Sequence, residues 1–477
     1  MRVKTATEAL DATGRKTQIR LGIQEGRIVQ IGDATGVADD IIVMPALVNA
    51  HDHARPLRSS SVGGFGKPLE TWLHRLAMMA PVDPYLATVA PLARAALGGQ
   101  GAVMIHQVRA MGLTDYVTEA ETMARAARDV GVRVAFGVGM RDCNPLVYGA
   151  HDQLLASLEA PVRAEIEQRF LSQPMMPIKE QMARVDAVAA AVGGPMFDVQ
   201  YAPNGPQWCS DALWEAIAEA SARTGRRITT HLYETKYQRA WADRTYPQGM
   251  LKRWKEIGLL SPRLTLAHCV WAEPDELGMI AEAGCTIVTN ASSNLALRSG
   301  IAPVAEMLKR GCKVAMGIDG QAFDEDDDAL REIRLLWSLH AGWGFDRAFE
   351  PSTVLRMALE AGREAVGAGD GGRLAEGQPA DLLIIDRSAL DEDALMPVDP
   401  IELLFARGNR SHLRELIVAG RSVVQNGNLV SVDLDAVQRE LRAAYRAAVP
   451  SRAGFVQAWS RFEKAVCAHY LNRLGCC

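Results

Sequence analysis

His51-Asp52-His53 closes an apolar run, Ile41-Ile42-Val43-Met44-Pro45-Ala46-Leu47-Val48-Asn49-Ala50. Side chains two apart on a β-strand point to the same face, so this spacing aims both imidazoles at one point beyond the strand's C-terminal tip. Two neutral imidazoles converging in this way make half of a transition-metal site. A His-x-His triplet also arises by chance, and the rest of the chain decides between the two readings. Arg227-Ile-Thr-Thr-His231, Leu264-Thr-Leu-Ala-His268 and Lys313-Val-Ala-Met-Gly-Ile-Asp319 are further short strand-like runs. Each ends on one residue able to bind a metal.

Helix-patterned segments rich in Ala, Glu and Arg separate these runs. Strands alternating with helices imply a parallel sheet with crossover helices. In a (β/α)8 barrel the reactive groups come from the C-terminal ends of several strands. Eight candidate strands lie near 43–50, 102–107, 133–140, 196–203, 227–233, 264–270, 286–291 and 313–319. Helical stretches over 84–98, 115–129, 178–192, 210–223, 274–283, 301–310 and 327–341 follow most of them. The class predicted is α/β, a TIM-like (β/α)8 barrel over 46–370.

Residues 1–45 are polar and glycine-punctuated, with strand-like Thr17–Leu21 and Arg27–Ile31. Residues 371–430 again read as short strands, Asp381–Ile385, Leu416–Val418 and Ser422–Val424, with turns at Ala419-Gly420 and Asn426-Gly427-Asn428. Residues 431–477 form a C-terminal helical extension, with helices expected over 434–448 and 453–473, covering the barrel or a partner subunit. Segment 143–176 is longer than a barrel loop requires and is expected to form an extra helical cap near the pocket mouth. Asp324-Glu325-Asp326-Asp327-Asp328 precedes a helix start, where acidic residues complement the macrodipole, so capping is preferred over cation binding.

The composition is ordinary for a soluble globular protein, 48% hydrophobic and 23% charged over 477 residues. A net charge of −5 and a pI near 6.1 leave no electrostatic footprint for nucleic acid. No apolar stretch approaches a membrane span, and the polar N-terminus has no signal-peptide core. The eight cysteines show no repeated C-x-x-C spacing, which fits reduced thiols in the cytoplasm, with Cys476 and Cys477 an exposed tail.

Taken as a set, His51-x-His53, His231-Leu-Tyr-Glu234, His268-Cys269, Asn290-Ala-Ser-Ser-Asn294 and Gly317-Ile-Asp319-Gly320 resemble the amidohydrolase superfamily. The closest likeness is to its mononuclear branch of guanine, cytosine and adenosine-type deaminases and triazine hydrolases. Lys67-Pro-Leu-Glu-Thr-Trp-Leu73, Ser299-Gly-Ile-Ala-Pro-Val304 and Gly377-Gln-Pro-Ala-Asp-Leu-Leu-Ile-Ile385 extend the likeness over about Gly22 to Leu429. It implies that the two chain ends pair into one small β-sandwich domain, residues 1–45 with 371–430. It also implies one divalent metal ion held by His51, His53, His231 and Asp319. Three nitrogens and one hard oxygen suit zinc first and iron second, and disfavour calcium or magnesium. Such an ion leaves a position for water and lowers its pKa towards neutrality. By the same resemblance Asp319 takes the water's proton, Glu234 shuttles a proton to the leaving group or ring nitrogen, and His268 orients or polarises the electrophilic carbon. The binuclear branch carries a bridging lysine at the end of strand four, whereas this chain has Val199-Gln-Tyr-Ala-Pro203 there, so a single ion is expected.

Departures from the pattern bear on the substrate. Asn204 stands where the resembling deaminases usually have histidine, and Ala291 where proline is common. Pocket candidates by position are Trp72, Gln107, Arg141, Gln200, Asn204, Trp208, Tyr233 and Asn294. Arg141 would meet a carbonyl oxygen or carboxylate, and the tryptophans would stack a planar ring. Of the remaining histidines, His74, His151, His340, His412 and His469 read as packing or surface residues, and His106, ending strand two, as the exception.

The activity expected is metal-dependent hydrolysis of a C–N bond, first the deamination of a small nitrogen heterocycle with release of ammonia. The alternative on the same site is hydrolysis of a substituted urea, carbamate, thiocarbamate or triazine. A remote third reading is a non-catalytic scaffold, which stoichiometric metal would exclude. The partners expected are a small-molecule substrate and further copies of the chain as a homo-oligomer, with neither nucleic acid nor membrane.

Overall fold

The computed structural model describes residues 1–320, 324–346 and 349–473. Eight strands form one sheet in sequence order: β5 (Leu47–Asn49), β6 (Gln100–Gln107), β7 (Arg133–Met140), β8 (Phe197–Pro203), β9 (Ile228–Leu232), β10 (Leu264–His268), β11 (Thr286–Thr289) and β12 (Lys313–Met316). Every neighbouring pair is parallel. The backbone N–H of Ala50 donates to Met316 O at 2.9 Å and that of Asp319 to His51 O at 2.9 Å, bringing the first and last strands together in a barrel. At this seam only glycine fits position 317, because an added Cβ would stand 2.2 Å from Asn290 Oδ1 and 2.9 Å from His51 O.

The crossover helices form where the apolar residues recur at helical spacing, and their ends are chemically marked. Asp83 caps Pro84–Leu97 through Leu86 N, Asp115 caps Tyr116–Val130, and Ser210 caps Asp211–Thr224. Asp328 caps Ala329–His340 by accepting from Leu330 N and Arg331 N, while Arg331 pairs with Asp324 and Asp326. Within the acidic cluster Asp328 caps the helix, while Asp327 pairs with Arg94 at 2.8 Å and Glu325 accepts from Ser60.

The apolar run before His51 is two strands. β4 (Ile41–Pro45) pairs with β13 (Leu382–Asp386), and β5 turns to β6 in the barrel. The switch falls at Ala46, whose N–H still donates to Asp381 O while that of Leu47 donates to Gly99 O. β4 belongs to a second, eight-stranded sheet ordered β16-β15-β14-β13-β4-β1-β2-β3, with β1 (Arg2–Asp11), β2 (Gly14–Gln24) and β3 (Arg27–Asp33) from one chain end and β14 (Leu413–Val418), β15 (Arg421–Gln425) and β16 (Asn428–Leu429) from the other. Alternate residues of β4 serve two cores: Ile42 and Met44 pack with the barrel, and Ile41 and Val43 pack with Ile19, Leu21, Leu382 and Ile384. The Ala419-Gly420 and Asn426-Gly427 pairs all have positive φ, as two-residue hairpin turns require.

The 143–176 segment folds into short helices, Asp152–Ala156 and Ala160–Ile166, followed by the wide turn Glu167–Leu171. The C-terminal helix Ala453–Arg473 buries Phe455, Trp459, Phe462 and Val466 against Leu146, Leu154, Val162 and Ile166 of that segment. Leu441 and Tyr445 of the helix Leu434–Ala448 pack on Val82, Ala87 and Ala90. The extension therefore covers its own chain's cap. No helix among the described residues is long and apolar enough to cross a membrane, and Cys476 and Cys477 lie outside them.

Candidate active site

His51 and His53 lie just past β5, beyond the strand itself, and the turn between them is pinned by the intervening Asp52. Its carboxylate accepts from Asn49 Nδ2 at 2.6 Å, from the backbone of His53 and Ala54 at 2.7 Å, and from Gly320 N at 3.0 Å. The His51–His53 turn is thereby tied to the residue after Asp319. Backbone strain marks the same rim: His268 (φ 74°) and Asp319 (φ 61°) are both held in the left-handed region.

The imidazoles are oriented from behind. His53 Nδ1 donates to His106 O at 2.9 Å and His231 Nδ1 to Asn204 O at 2.8 Å. With those nitrogens protonated, each Nε2 carries a lone pair, and the two Nε2 atoms stand 3.3 Å apart. Asp319 Oδ1 lies 3.1 Å from His53 Nε2 and 3.5 Å from His51 Nε2, while Oδ2 is anchored by the Ser293 hydroxyl at 2.6 Å. Acceptors converging at such separations repel unless a cation lies among them. A tetrahedral shell with bonds of about 2.0–2.1 Å has edges of roughly 3.3–3.4 Å, the spacing seen here. Both ring nitrogens of His51 and Asp319 Oδ1 are buried without a hydrogen-bond partner among the described residues. Burial pushes the imidazole of His51 down to about 4 and that of His231 well below its usual range, so both are neutral ligands at neutral pH. Asp319 is pushed up by burial, but its contacts with His51 and His53 outweigh that and hold it well below the usual carboxylate range. The donors suit a transition-metal ion: His51, His53 and Asp319 can place one donor atom each within 4.8 Å of one another, and so can His51, His106 and His231.

His106 joins this cluster. Its ring centroid is 4.7 Å from that of His231, and it can offer a nitrogen within 4.8 Å of donors from His51 and His231. It is fully buried at the end of β6, and burial holds it well below its usual range. His74, in contrast, is a packing histidine whose Nε2 bonds Leu146 O at 2.8 Å.

Beside the metal-type cluster, His268 Nδ1 donates to Asn294 Oδ1 at 2.9 Å, leaving its Nε2 facing Glu234 Oε2 at 3.6 Å. Burial raises the Glu234 carboxyl to about 7, against the pull of His268. Glu234, His268 and Asp319 can place one donor atom each within 4.8 Å of one another. Burial likewise raises Glu70 to about 7, against the Thr235 hydroxyl that donates to it at 2.5 Å. Glu70 sits inside the Lys67–Leu73 motif, and nothing in the sequence pattern alone marked it as buried and facing the pocket.

A cavity of about 840 Å³ opens over this floor, with His53, His231, Glu234 and Asp319 among its lining residues. Of the positional candidates, Trp72, Gln107, Arg141, Asn204 and Trp208 line it. Trp72 also lies under the Arg55 guanidinium at 4.3 Å, and Asn204 keeps Oδ1 without a hydrogen-bond partner. Three candidates do not reach it. Gln200 is turned into the barrel interior, where its amide donates to Asp198 Oδ2 and Ala365 O. Asn294 is engaged with His268, and Tyr233 donates to Glu276 at 2.8 Å away from the cavity. Strand alternation explains Gln200, which lies on β8, whereas Tyr233 follows β9 in a turn and Asn294 lies in the helix Ala291–Ala296, where strand periodicity gives no direction.

Known proteins place this geometry in context. The amidohydrolase family model matches residues 42–423. A 5-methylthioadenosine/S-adenosylhomocysteine deaminase from Syntrophobacter fumaroxidans is 28% identical over 92% of this chain and 96% of its own. A 5′-deoxyadenosine deaminase from Methanopyrus kandleri is 28% identical over 84% of this chain and 85% of its own. Among solved structures, a zinc-bound adenosine deaminase from Xanthomonas campestris superposes with a TM-score of 0.78 at 22% identity, covering 94% of this chain and 98% of that one. The zinc complex of atrazine chlorohydrolase from Arthrobacter aurescens TC1 has a TM-score of 0.77 at 22% identity, covering 93% and 100%. Barrel, rim and family match agree, and the chain belongs to the amidohydrolase family.

Proposed function

We propose that this protein hydrolytically deaminates an amino-substituted nitrogen heterocycle, releasing ammonia. The observation that carries the reading is the pairing of a converged His51/His53/His231/Asp319 donor set with a buried carboxyl, Glu234, titrating near neutrality beside it. A divalent ion in this shell, zinc first and iron second, supplies Lewis acidity when bound. Asp319, held ionised and anchored by Ser293, accepts a proton from the attacking water. Glu234 delivers a proton to the ring nitrogen or the departing amino group, which a carboxyl near pH 7 does with little driving-force penalty in either direction. His268, fixed by Asn294, directs its Nε2 lone pair into the same space and orients the attacking water. Water's oxygen bonds to carbon, the C–N bond breaks, and the nitrogen leaves as ammonia. The names of the relatives, both deaminases of adenosine derivatives, make an adenine-type ring the first to try. The described cysteines are free, in keeping with a reducing compartment such as the cytoplasm.

The test is an ammonia assay on zinc-loaded protein with adenosine, 5′-deoxyadenosine, aminopurines, pterins and aminopyrimidines, beside aryl ureas and chlorotriazines. Ammonia from at least one aminated ring is expected. Turnover confined to the ureas or triazines would overturn the reading.

A further inference from the structure

The arginines of the cavity fall into two groups. Arg55 has Asp319, Asp52 and Glu234 as its electrostatic neighbours, at the floor. Arg109, Arg141, Arg169 and Arg452 also line the cavity, and Arg109 and Arg141 are largely buried there with another arginine as the main charge acting on them. The charge of Arg169 bears on Arg109, that of Arg109 on Arg141, and those of Arg169 and Arg109, with Glu165 opposing, on Arg452. Like charges held together repel, and a fold pays this cost where an anion repays it.

Of the acids near the group, one is engaged elsewhere and one pairs with a single arginine. Glu119 lines the cavity, but its two oxygens accept from Gln107 Nε2 and from the backbone of Met111 and Gly112, fixing the loop that carries Arg109. Glu165 pairs with Arg169 at 3.1 Å and also lowers the net charge around Arg452, whereas neither Arg109 nor Arg141 has a salt bridge among the described residues. Arg141 donates to the neutral Asn144 Oδ1 at 3.1 Å. Arg184, also in the lining, is already used by Gly139 O and by the Tyr116 ring, and is left out of the group. Two of the four cations come from parts a barrel does not need: Arg169 from the wide turn Glu167–Leu171 of the 143–176 cap, and Arg452 from the turn before the last helix. Cap and extension pack together through Phe455, Phe462 and Val162, which holds these arginines over the mouth.

We propose that this outer part of the cavity is an oxyanion-binding subsite, in which Arg109, Arg141 and Arg169 hold a carboxylate or phosphate carried by the substrate on a tether from the ring that meets Glu234. The inference rests on the deaminase reading for the ring and adds an anionic substituent to it. Guanidinium groups match both oxyanions in geometry, and several together favour a doubly charged group over a neutral one.

Two measurements on zinc-loaded protein test this. The first compares kcat/KM for adenosine, adenosine 5′-carboxylate and adenosine 5′-monophosphate in the wild type and in Arg109→Gln, Arg141→Gln and Arg169→Gln. The wild type is expected to prefer an anionic member, and each variant to lower the anionic-to-neutral ratio by about tenfold or more. Whichever anion shows the larger ratio identifies the group. Arg141→Lys, which keeps the charge, should retain part of the ratio. The second titrates inorganic phosphate and succinate calorimetrically into wild type and variants of equal zinc content, and the variants should bind at least about tenfold more weakly. If no ring is deaminated while anion binding depends on these arginines, the subsite stands and the deaminase reading falls. If the wild type shows no anionic preference, or ratio and anion binding are the same in all variants, the subsite is overturned.

Discussion

His268 Nε2 and Glu234 Oε2 face each other across 3.6 Å, with the opposite nitrogen of His268 bound to Asn294. With Nδ1 donating to Asn294, and Asn290 Nδ2 also 3.3 Å from it, Nε2 is the nitrogen left facing the carboxyl and able to accept its proton. Glu234 is therefore placed to pass a proton to the leaving nitrogen, and Glu234→Gln should lower kcat by about a hundredfold or more while leaving bound metal unchanged. Steady-state kinetics beside plasma emission analysis of the same samples checks this. A variant with near wild-type kcat would make Glu234 a bystander.

Asn294→Ala tests the other end of that pair. Without Oδ1 to accept from Nδ1, His268 can rotate or change tautomer, and one lost hydrogen bond of this kind corresponds to roughly tenfold in rate. The loss should appear in kcat with KM nearly constant, because Asn294 does not line the cavity. A change in KM alone would place Asn294 in substrate binding instead.

For the metal, one ion per chain is expected, and chelation should abolish turnover reversibly. His231→Ala and Asp319→Asn should each bind less than stoichiometric zinc, since each removes or neutralises one of four converging donors. His106→Ala separates a further possibility raised by its nearness to His231. If the variant keeps stoichiometric zinc, His106 is a packing neighbour. Finding two ions per active wild-type chain would end the mononuclear reading.

The site was legible where chemistry is local and illegible where direction matters. His231 and His268 stand at the ends of β9 and β10, whereas His51, His53 and Asp319 lie in the turns just past β5 and β12, where Asp52 fixes them. The seam at Ala46 was hidden because Ile41–Ala50 is apolar throughout, and only the competing partners β13 and β6 divide it. β1 was missed for the opposite reason. Thr-Ala-Thr-Glu-Ala-Leu is rich in helix formers, yet pairing from Arg2↔Ile23 to Asp11↔Gly14 makes it a strand, with Gly14 at φ 142° closing the turn. Glu70, Arg109 and Arg169 carried no sequence signal, because Glu70 is brought in by the helix Leu69–Arg75, Arg109 by the loop after β6 that Glu119 fixes, and Arg169 by the cap.

Stability should depend on pH through Glu332. Its carboxyl is buried, and although it accepts from Ser292 N at 3.0 Å and from Ser292 Oγ, burial raises it from 4.5 to about 7. The folded state therefore holds a proton that the unfolded state releases between pH 4.5 and 7, so this group's contribution to stability falls as pH rises through that window. The full loss is on the order of 3 kcal/mol, reached above pH 7. Glu332→Gln removes it, so denaturant melts at pH 5 and pH 8 should differ less in the variant than in the wild type. An equal or larger difference in the variant would show that Glu332 titrates normally.

Asn204 separates recognition from chemistry. Its backbone oxygen orients His231, so the main chain here serves the metal-type cluster whatever the side chain does. The side chain lines the cavity, with Nδ2 near Val108 O at 3.4 Å and Oδ1 without a hydrogen-bond partner. An amide can donate and accept hydrogen bonds but cannot take up a proton near neutral pH, which excludes the acid–base role a histidine could fill there. Asn204→Ala keeps the backbone oxygen and removes only the amide. It should raise KM or shift the preference among ring substituents by about tenfold, the value of one hydrogen bond to a polar substrate group, while changing kcat for the best substrate less. Asn204→His, restoring the residue usual in the resembling deaminases, should change which ring is preferred without altering zinc content. If instead kcat collapses in Asn204→Ala with KM constant, the amide acts in the chemical step and the recognition role is wrong.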